Sequence, residues 1–305
     1  VTSLAQRVGR VGVWAHLDTL GADELRRHVA RVAELGYGAL WVPETVGREP
    51  YVLLGAVADG AGRMWLGTGI ASIWGHDAMA TRMAAMTLHE LTGGRFVLGL
   101  GVSHPHLAQK LRGHVYDRPV SRMRAFLADY RRLPYKGPVC DGADAGGPPL
   151  VLAALRDRML ELAATQADGA FPYLVTAARV AAIRARLDAA AGASDRGRPL
   201  LMVTLPVVLE AAPGAARSAA RAYLTPYVRT PNYQASWAIQ GFDADDWAAP
   251  GSDRLVDAMV AWGDVTALRG RIAELHAAGA DHVALIALAP DGTTERLATL
   301  DALAP

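Results

Sequence analysis

Two histidines stand where a proton could change hands. One closes the run Val13-Trp14-Ala15-His16, and the other follows Gly101 in Val102-Ser103-His104-Pro105-His106. An unperturbed imidazole titrates near neutrality, so a histidine at a pocket rim suits general acid or base work. His104 with His106 also invites a metal reading. Two histidines without a placed carboxylate are a weak ligand set, and the plainer reading is one pocket histidine and one loop histidine. His16 is either a functional group facing the same opening or a hydrogen-bonded wall residue. Glycines form a further pattern, in Leu66-Gly67-Thr68-Gly69-Ile70-Ala71-Ser72 and in Val97-Leu98-Gly99-Leu100-Gly101. Glycine inside a strand marks a bulge or a close approach. Two neighbouring strands with glycines at their outgoing ends either leave a slot for a planar ring or pack tightly with no ligand; spacing leaves both open. Tyr227, Tyr233, Trp237 and Trp247 either line an apolar substrate pocket or pack their own segment.

These residues need a frame, and one local pattern supplies it. A helix end, a glycine and a short apolar strand recur at Glu34–Val42, Leu91–Gly99 and Ala278–Leu285, with a looser copy at Ala167–Phe171. Glycine suits the left-handed cap that ends a helix. The strands that follow lack polar alternation, as strands buried on both faces do. Eight strands are expected at 10–14, 38–42, 65–70, 96–101, 149–153, 168–173, 200–206 and 282–287. Helices follow each: Leu25, Val29 and Val32 behind Asp23 as a cap; Met79, Met83 and Met86 as helix core; Val180, Ile183 and Leu187; Leu268, Ile272 and Leu275; and a short last one at 293–302. Eight βα units predict a single α/β domain over 1–305, a (β/α)8 TIM barrel. The chain exceeds the roughly 250 residues of a bare barrel. The surplus falls in insertions after strand four, approximately 102–148, and after strand seven, approximately 207–265. The rival, a doubly wound open sheet, wants a glycine-rich phosphate loop after strand one, and Val13–His16 has none.

Composition narrows the function classes. The 305 residues are 51% hydrophobic and 20% charged, which excludes a disordered chain. A net charge of +1 gives no basic field for nucleic acid. The one cysteine, Cys140, excludes a disulfide framework. No apolar run suits a signal peptide or a bilayer span, so a cytoplasmic protein without membrane partners is expected.

Taken in order, Thr68-Gly69-Ile70, a helix, and Leu91-Thr92-Gly93-Gly94-Arg95-Phe96-Val97-Leu98-Gly99-Leu100-Gly101 resemble the signature of the bacterial luciferase-like superfamily. Trp41-Val42-Pro43-Glu44 and Leu152–Asp168 are similar to its branch that uses the deazaflavin coenzyme F420. The resemblance implies a (β/α)8 barrel that binds F420 or FMN at its C-terminal mouth, with a non-prolyl cis peptide at Gly69–Ile70. It implies that Gly69, Ile70 and Ser72 of strand three, and Gly101, Val102 and Ser103 after strand four, meet the cofactor, and that His104 meets the substrate. Strand two of the family ends in an acid and a histidine that face cofactor and substrate; here it reads Glu44-Thr45, so the acid is kept, the histidine is not, and the resemblance places Thr45 at the cofactor. The family's phosphate-binding glycines after strand five are replaced by Ala153-Ala154-Leu155-Arg156-Asp157, where Arg156 supplies a charge-assisted contact and Asp157 opposes it. Arg118, in the turn Tyr116-Asp117-Arg118-Pro119 before a helix, is a candidate contact for a cofactor tail.

The expectation is therefore an oxidoreductase that moves a hydride between F420 and an unidentified small organic substrate, with His104, Glu44 and His16 as the acid–base candidates. Two alternatives stand beside it: an FMN-dependent monooxygenase using reduced FMN and oxygen, and a barrel that binds a flavin without turnover. The resemblance also implies a homodimer.

Overall fold

The computed structural model describes residues 3–141, 146–292 and 297–305. Its strands are β1 Val11–Trp14, β2 Ala39–Val42, β3 Trp65–Thr68, β4 Ala71–Ser72, β5 Phe96–Gly101, β6 Leu150–Leu152, β7 Gly169–Ala170, β8 Leu200–Leu209, β9 Ala261–Gly263 and β10 His282–Ala287. Every pairing is parallel. β10 pairs with β1 (Val11 opposite Val283) on one side and with β8 (Met202 opposite His282) on the other, so the sheet has no edge there and closes. That excludes the open doubly wound sheet and establishes the (β/α)8 barrel. β3 and β4 are the two halves of the expected third strand; they part at Gly69–Ile70, whose peptide bond is cis.

Two features depart from the sequence pattern. β8 runs on to Leu209, and its end pairs with β9, a three-residue strand that no pattern signalled. Between them the chain makes four helices, Pro213–Val228, Pro231–Ile239, Ala244–Trp247 and Asp253–Met259, which pack as a second apolar cluster around Trp237. Of the expected helix at 293–302, residues 293–296 lie outside the described residues, and Leu297–Leu303 is helical.

Inside the barrel the glycine question resolves toward packing. A Cβ on Gly67 would run into the Trp41 ring, one on Gly69 would lie 2.9 Å from Trp14 Cδ1, and one on Gly101 would lie 2.5 Å from Ile70 Cδ1. The room these glycines leave inside the barrel is therefore filled by Trp41, Trp14 and Ile70. Interiors are close-packed, so large indoles in a narrow barrel require small residues opposite them.

Two helix expectations need correction. Met79 and Met83 are 44% and 46% exposed, and only Met86 is core. Helix Ala78–Leu91 turns Ala78, Thr81, Ala85, Leu88 and His89 inward instead. The cap of helix Ala22–Glu34 is Gly21; Asp23 sits in the first turn, where its carboxylate favours the helix dipole and bonds Arg26. The helix–glycine–strand joints do carry left-handed glycines, with φ of 83° at Gly36 and 104° at Gly279. Gly36 has nothing near its missing Cβ, so Gly36→Ala isolates the backbone cost. It should lower stability by about 1–2 kcal/mol in urea unfolding. An unchanged midpoint would refute a conformational role for the glycine.

Candidate active site at the barrel mouth

A cavity of about 800 Å³ opens at the C-terminal ends of β5, β6 and β7, within the roughly 300–1,000 Å³ span of ligand sites. Ile70, Gly101, Val102, Ser103 and His104 line one side. Ala153, Ala154, Leu155 and Arg156, from the β6 end, line another. Strand ends bring these residues together because β5 and β6 are paired neighbours, Leu100 opposite Leu152. Residues Asn232, Tyr233 and Ile239 reach over from the β8–β9 excursion.

His104 is thrown into this space by a left-handed residue, Ser103, at φ 52°, a conformation uncommon outside glycine. Tyr116 Oη donates to the Ser103 carbonyl at 3.2 Å and steadies the turn. The His104 ring stacks on His106 at 5.9 Å, nearly parallel, and lies 5.5 Å from Tyr233. Burial, and then the neighbouring His106, hold its pKa below the usual histidine value. The ring is therefore neutral at pH 7. Its Nδ1 is shut off from solvent and has no hydrogen-bond partner. Nε2 is thus the atom through which this ring can meet a ligand.

At the other end the lining is cationic. Arg118, Arg156 and Arg158 border the cavity, Arg118 in a left-handed conformation before helix Pro119–Arg132 and Arg156 as the cap of helix Asp157–Gln166. The helix expected after Arg118 is present, while residues 113–118 before it are irregular rather than a regular turn. The amides that open helix Asp157–Gln166 add a partial positive charge. Asp157, which opposes an anion, is engaged by Arg186 at 3.3 Å. Arg156 Nη2 donates to Asn232 Oδ1 at 3.1 Å and links the barrel to the excursion.

His16, Glu44, Thr45, Gly69 and Ser72 do not line this cavity; the structure does not bring them together with His104 as one open site. The Glu44 side chain is only 5% exposed and is committed elsewhere. Glu44 Oε2 accepts from the Ser72 amide at 2.8 Å, and Oε1 pairs with Arg112. Burial raises its pKa, against the opposing pull of the Ser72 amide and Arg112. Thr45 Oγ1 donates to Asp18, and His16 Nε2 sits 3.3 Å from the same carboxylate. His16 is accordingly a hydrogen-bonded wall residue in this arrangement. Trp14 Nε1 donates to the Gly69 carbonyl, and Gly69 packs under the indole. Arg112 and Asp18 escaped the sequence reading because each acts through a partner distant in sequence. The Glu44–Arg112 pair tethers the His104-bearing loop to the end of β2. Arg112→Ala strands a buried carboxylate, but Arg112 is partly exposed and water screens the pair. The expected loss is about 1–2 kcal/mol in denaturant unfolding, and it should be smaller in Arg112→Ala/Glu44→Gln. Equal losses in the two proteins would contradict the tether.

The sequence profile described as luciferase-like monooxygenase matches residues 8–282. The chain belongs to that family, a class of barrel proteins whose relatives named here are oxidoreductases. It is 30% identical over 209 residues to the phthiodiolone/phenolphthiodiolone dimycocerosates ketoreductase of Mycobacterium tuberculosis, a match covering 62% of this chain and 53% of that one. The chain thus spans about half the length of that curated relative. Among solved structures, the coenzyme F420 dependent tetrahydromethanopterin reductase from Methanopyrus kandleri superposes with a TM-score of 0.73 at 16% identity, over 91% of this chain and 92% of that one. The oxygenating constituent of 3,6-diketocamphane monooxygenase from Pseudomonas putida, in complex with FMN, gives 0.70 at 13% identity, over 92% of each chain. At these identities the structural likenesses concern the fold. No helix among the described residues is long and apolar enough to cross a membrane.

Proposed function

We propose that this chain is a coenzyme F420-dependent oxidoreductase that moves a hydride between the deazaflavin and a small organic molecule at the barrel mouth. The observation that carries the reading is the division of one cavity into an apolar floor with a neutral histidine and a rim of three arginines at two helix N-termini. The donor set fits the group. Arg118, Arg156 and Arg158 would hold an anionic tail, and three cations suit a tail with several negative charges better than a single phosphate. Ile70, Gly101 and Ala153 offer a flat apolar platform for a ring.

Bound there, the deazaflavin would supply a ring carbon that accepts or releases a hydride and reacts poorly with oxygen. His104 handles the proton. When a substrate alcohol is oxidised, the carbon-bound hydrogen leaves with its electron pair, the hydroxyl proton passes to His104, and a carbonyl forms. The reverse direction returns the proton from the imidazolium. Asn232 and Tyr233, which line the cavity from the excursion, would shield the reacting carbon from water. Val102 and Ser103 hold the turn that aims His104.

Equilibrium titration tests the cofactor. F420 should bind, FMN should not, and Arg156→Ala should weaken F420 binding. Tight FMN binding without F420 binding would replace this reading with the FMN-dependent monooxygenase. Stopped-flow oxidation of reduced F420 by a panel of carbonyl compounds separates an enzyme from a binding barrel.

A further inference from the structure

We infer that the aromatic wall formed by Phe171, Tyr173 and Tyr233 is the substrate subsite, and that it takes an uncharged alcohol or ketone carried on an aromatic or similarly flat apolar skeleton. This rests on the barrel-mouth reading above and names its substrate class.

Charge in the cavity is segregated. The arginines and Asp157 come from the helix openings after β5 and β6, whereas the β7 end and the excursion contribute Phe171, Tyr173, Tyr233 and Ile239. The tyrosines are fixed by ring contacts. Tyr233 meets Tyr173 at 5.8 Å and Tyr227 at 5.1 Å, both nearly perpendicular, and Tyr227 meets Tyr173 at 5.4 Å. Such edge-to-face contacts stabilise one arrangement. The Tyr173 hydroxyl is taken up by Tyr223 Oη, on helix Pro213–Val228, so at Tyr173 the wall presents ring surface rather than a free donor. Burial pushes the Tyr173, Tyr223 and Tyr233 phenols well above their ordinary value, and the wall stays uncharged.

Among the described residues, His104 is the histidine in direct ring contact with this wall, 5.5 Å from Tyr233. The subsite thus pairs one proton-exchanging group with a neutral aromatic face. A substrate that matches carries one reactive oxygen on a flat hydrocarbon body. A phosphorylated or carboxylated substrate would bury its charge against phenols that cannot balance it. A polyol would lose hydrogen bonds to water that the wall cannot replace.

The test reads binding apart from turnover. Saturation-transfer NMR on the protein alone should show contact to the ring protons of acetophenone. Binding should weaken about tenfold in Tyr233→Ala, and glycerol 3-phosphate should not compete. Tyr233→Leu, which keeps an apolar side chain, serves if the alanine variant does not fold. With F420, 1-phenylethanol should be oxidised with a far higher kcat/KM than glycerol 3-phosphate. Acetophenone binding of this kind without any F420-linked turnover would uphold the subsite and sink the hydride-transfer reading. Competition by glycerol 3-phosphate, or acetophenone binding indifferent to Tyr233, would overturn the subsite.

Discussion

Replacing His104 by glutamine should lower kcat for alcohol oxidation by about 10²–10⁴-fold and leave F420 binding essentially as it was. Glutamine keeps a polar tip in the same place but cannot take up a proton. The arginines proposed to hold the tail are on other elements, so cofactor binding should not depend on this side chain. The pH profile carries the sharper signature. Because burial and His106 hold the His104 pKa below 6.5, the neutral, proton-accepting form persists through neutrality. The rate of alcohol oxidation should be flat near pH 7 and fall only as pH drops below 6.5 through the folded value. That acid limb should vanish in His104→Gln. In the reductive direction the imidazolium is the active form, so the limb should invert. A glutamine variant with wild-type turnover, or one that keeps the acid limb, would remove His104 from proton transfer. Glu44→Gln supplies the contrast. Its carboxylate is bonded to the Ser72 amide and Arg112, so its loss should act through loop placement and shift KM more than the pH profile.

What the sequence disclosed about this molecule follows the range of the interactions involved. The barrel was legible because each βα unit is a local event: a left-handed glycine at Gly36 or Gly279 stops a helix, and an apolar run buried on both faces follows. The cis bond at Gly69–Ile70 was legible through resemblance, from a short motif in a fixed order. β9 was not legible, because three residues with one half-exposed position carry no periodicity and its pairing partner lies in β8. Met79 and Met83 share a stripe with Met86 in the letters, but spacing gives a stripe and not its direction; small residues such as Ala78 and Ala85 proved to be the ones that let the helix approach the barrel. The site divided in the same way. Residues that follow directly from strand ends, such as Gly101–His104 and Ala153–Arg156, line the cavity as the strand register dictates. Glu44 and His16 also follow strand ends, yet their side chains turn to Arg112 and Asp18, partners the local sequence does not name.

The barrel floor should make the fold acid-sensitive, and one histidine should dominate the effect. His282 is fully buried at the start of β10, in edge contact with Trp41. An indole nitrogen can only donate, so the 3.0 Å bond from Trp41 Nε1 fixes His282 Nε2 as an acceptor. The ring proton therefore sits on Nδ1, which donates to the Gly9 carbonyl at 2.8 Å. A second proton would face the indole N–H in a fully buried site. Desolvation, only partly offset by the Gly9 carbonyl, accordingly pushes the His282 pKa down from 6.5 to about 4. Between these values the unfolded chain binds the proton and the folded chain does not, so stability falls as pH falls through that window and is fully present above it. At roughly 1.4 kcal/mol per unit, the loss by pH 4 is about 3 kcal/mol. His28 and His276, whose pKa values are also lowered by burial, add in the same direction. Urea unfolding followed from pH 7.5 to 4.5 should show this decline. His282→Gln keeps an acceptor for Trp41 and a donor for Gly9 without a titrating group. It should start less stable at pH 7.5 and lose markedly less on acidification. Gly12 makes room for the ring, since a Cβ there would lie 2.6 Å from His282 Nε2. Parallel stability curves for the wild type and His282→Gln would show that the floor histidine does not govern the acid response.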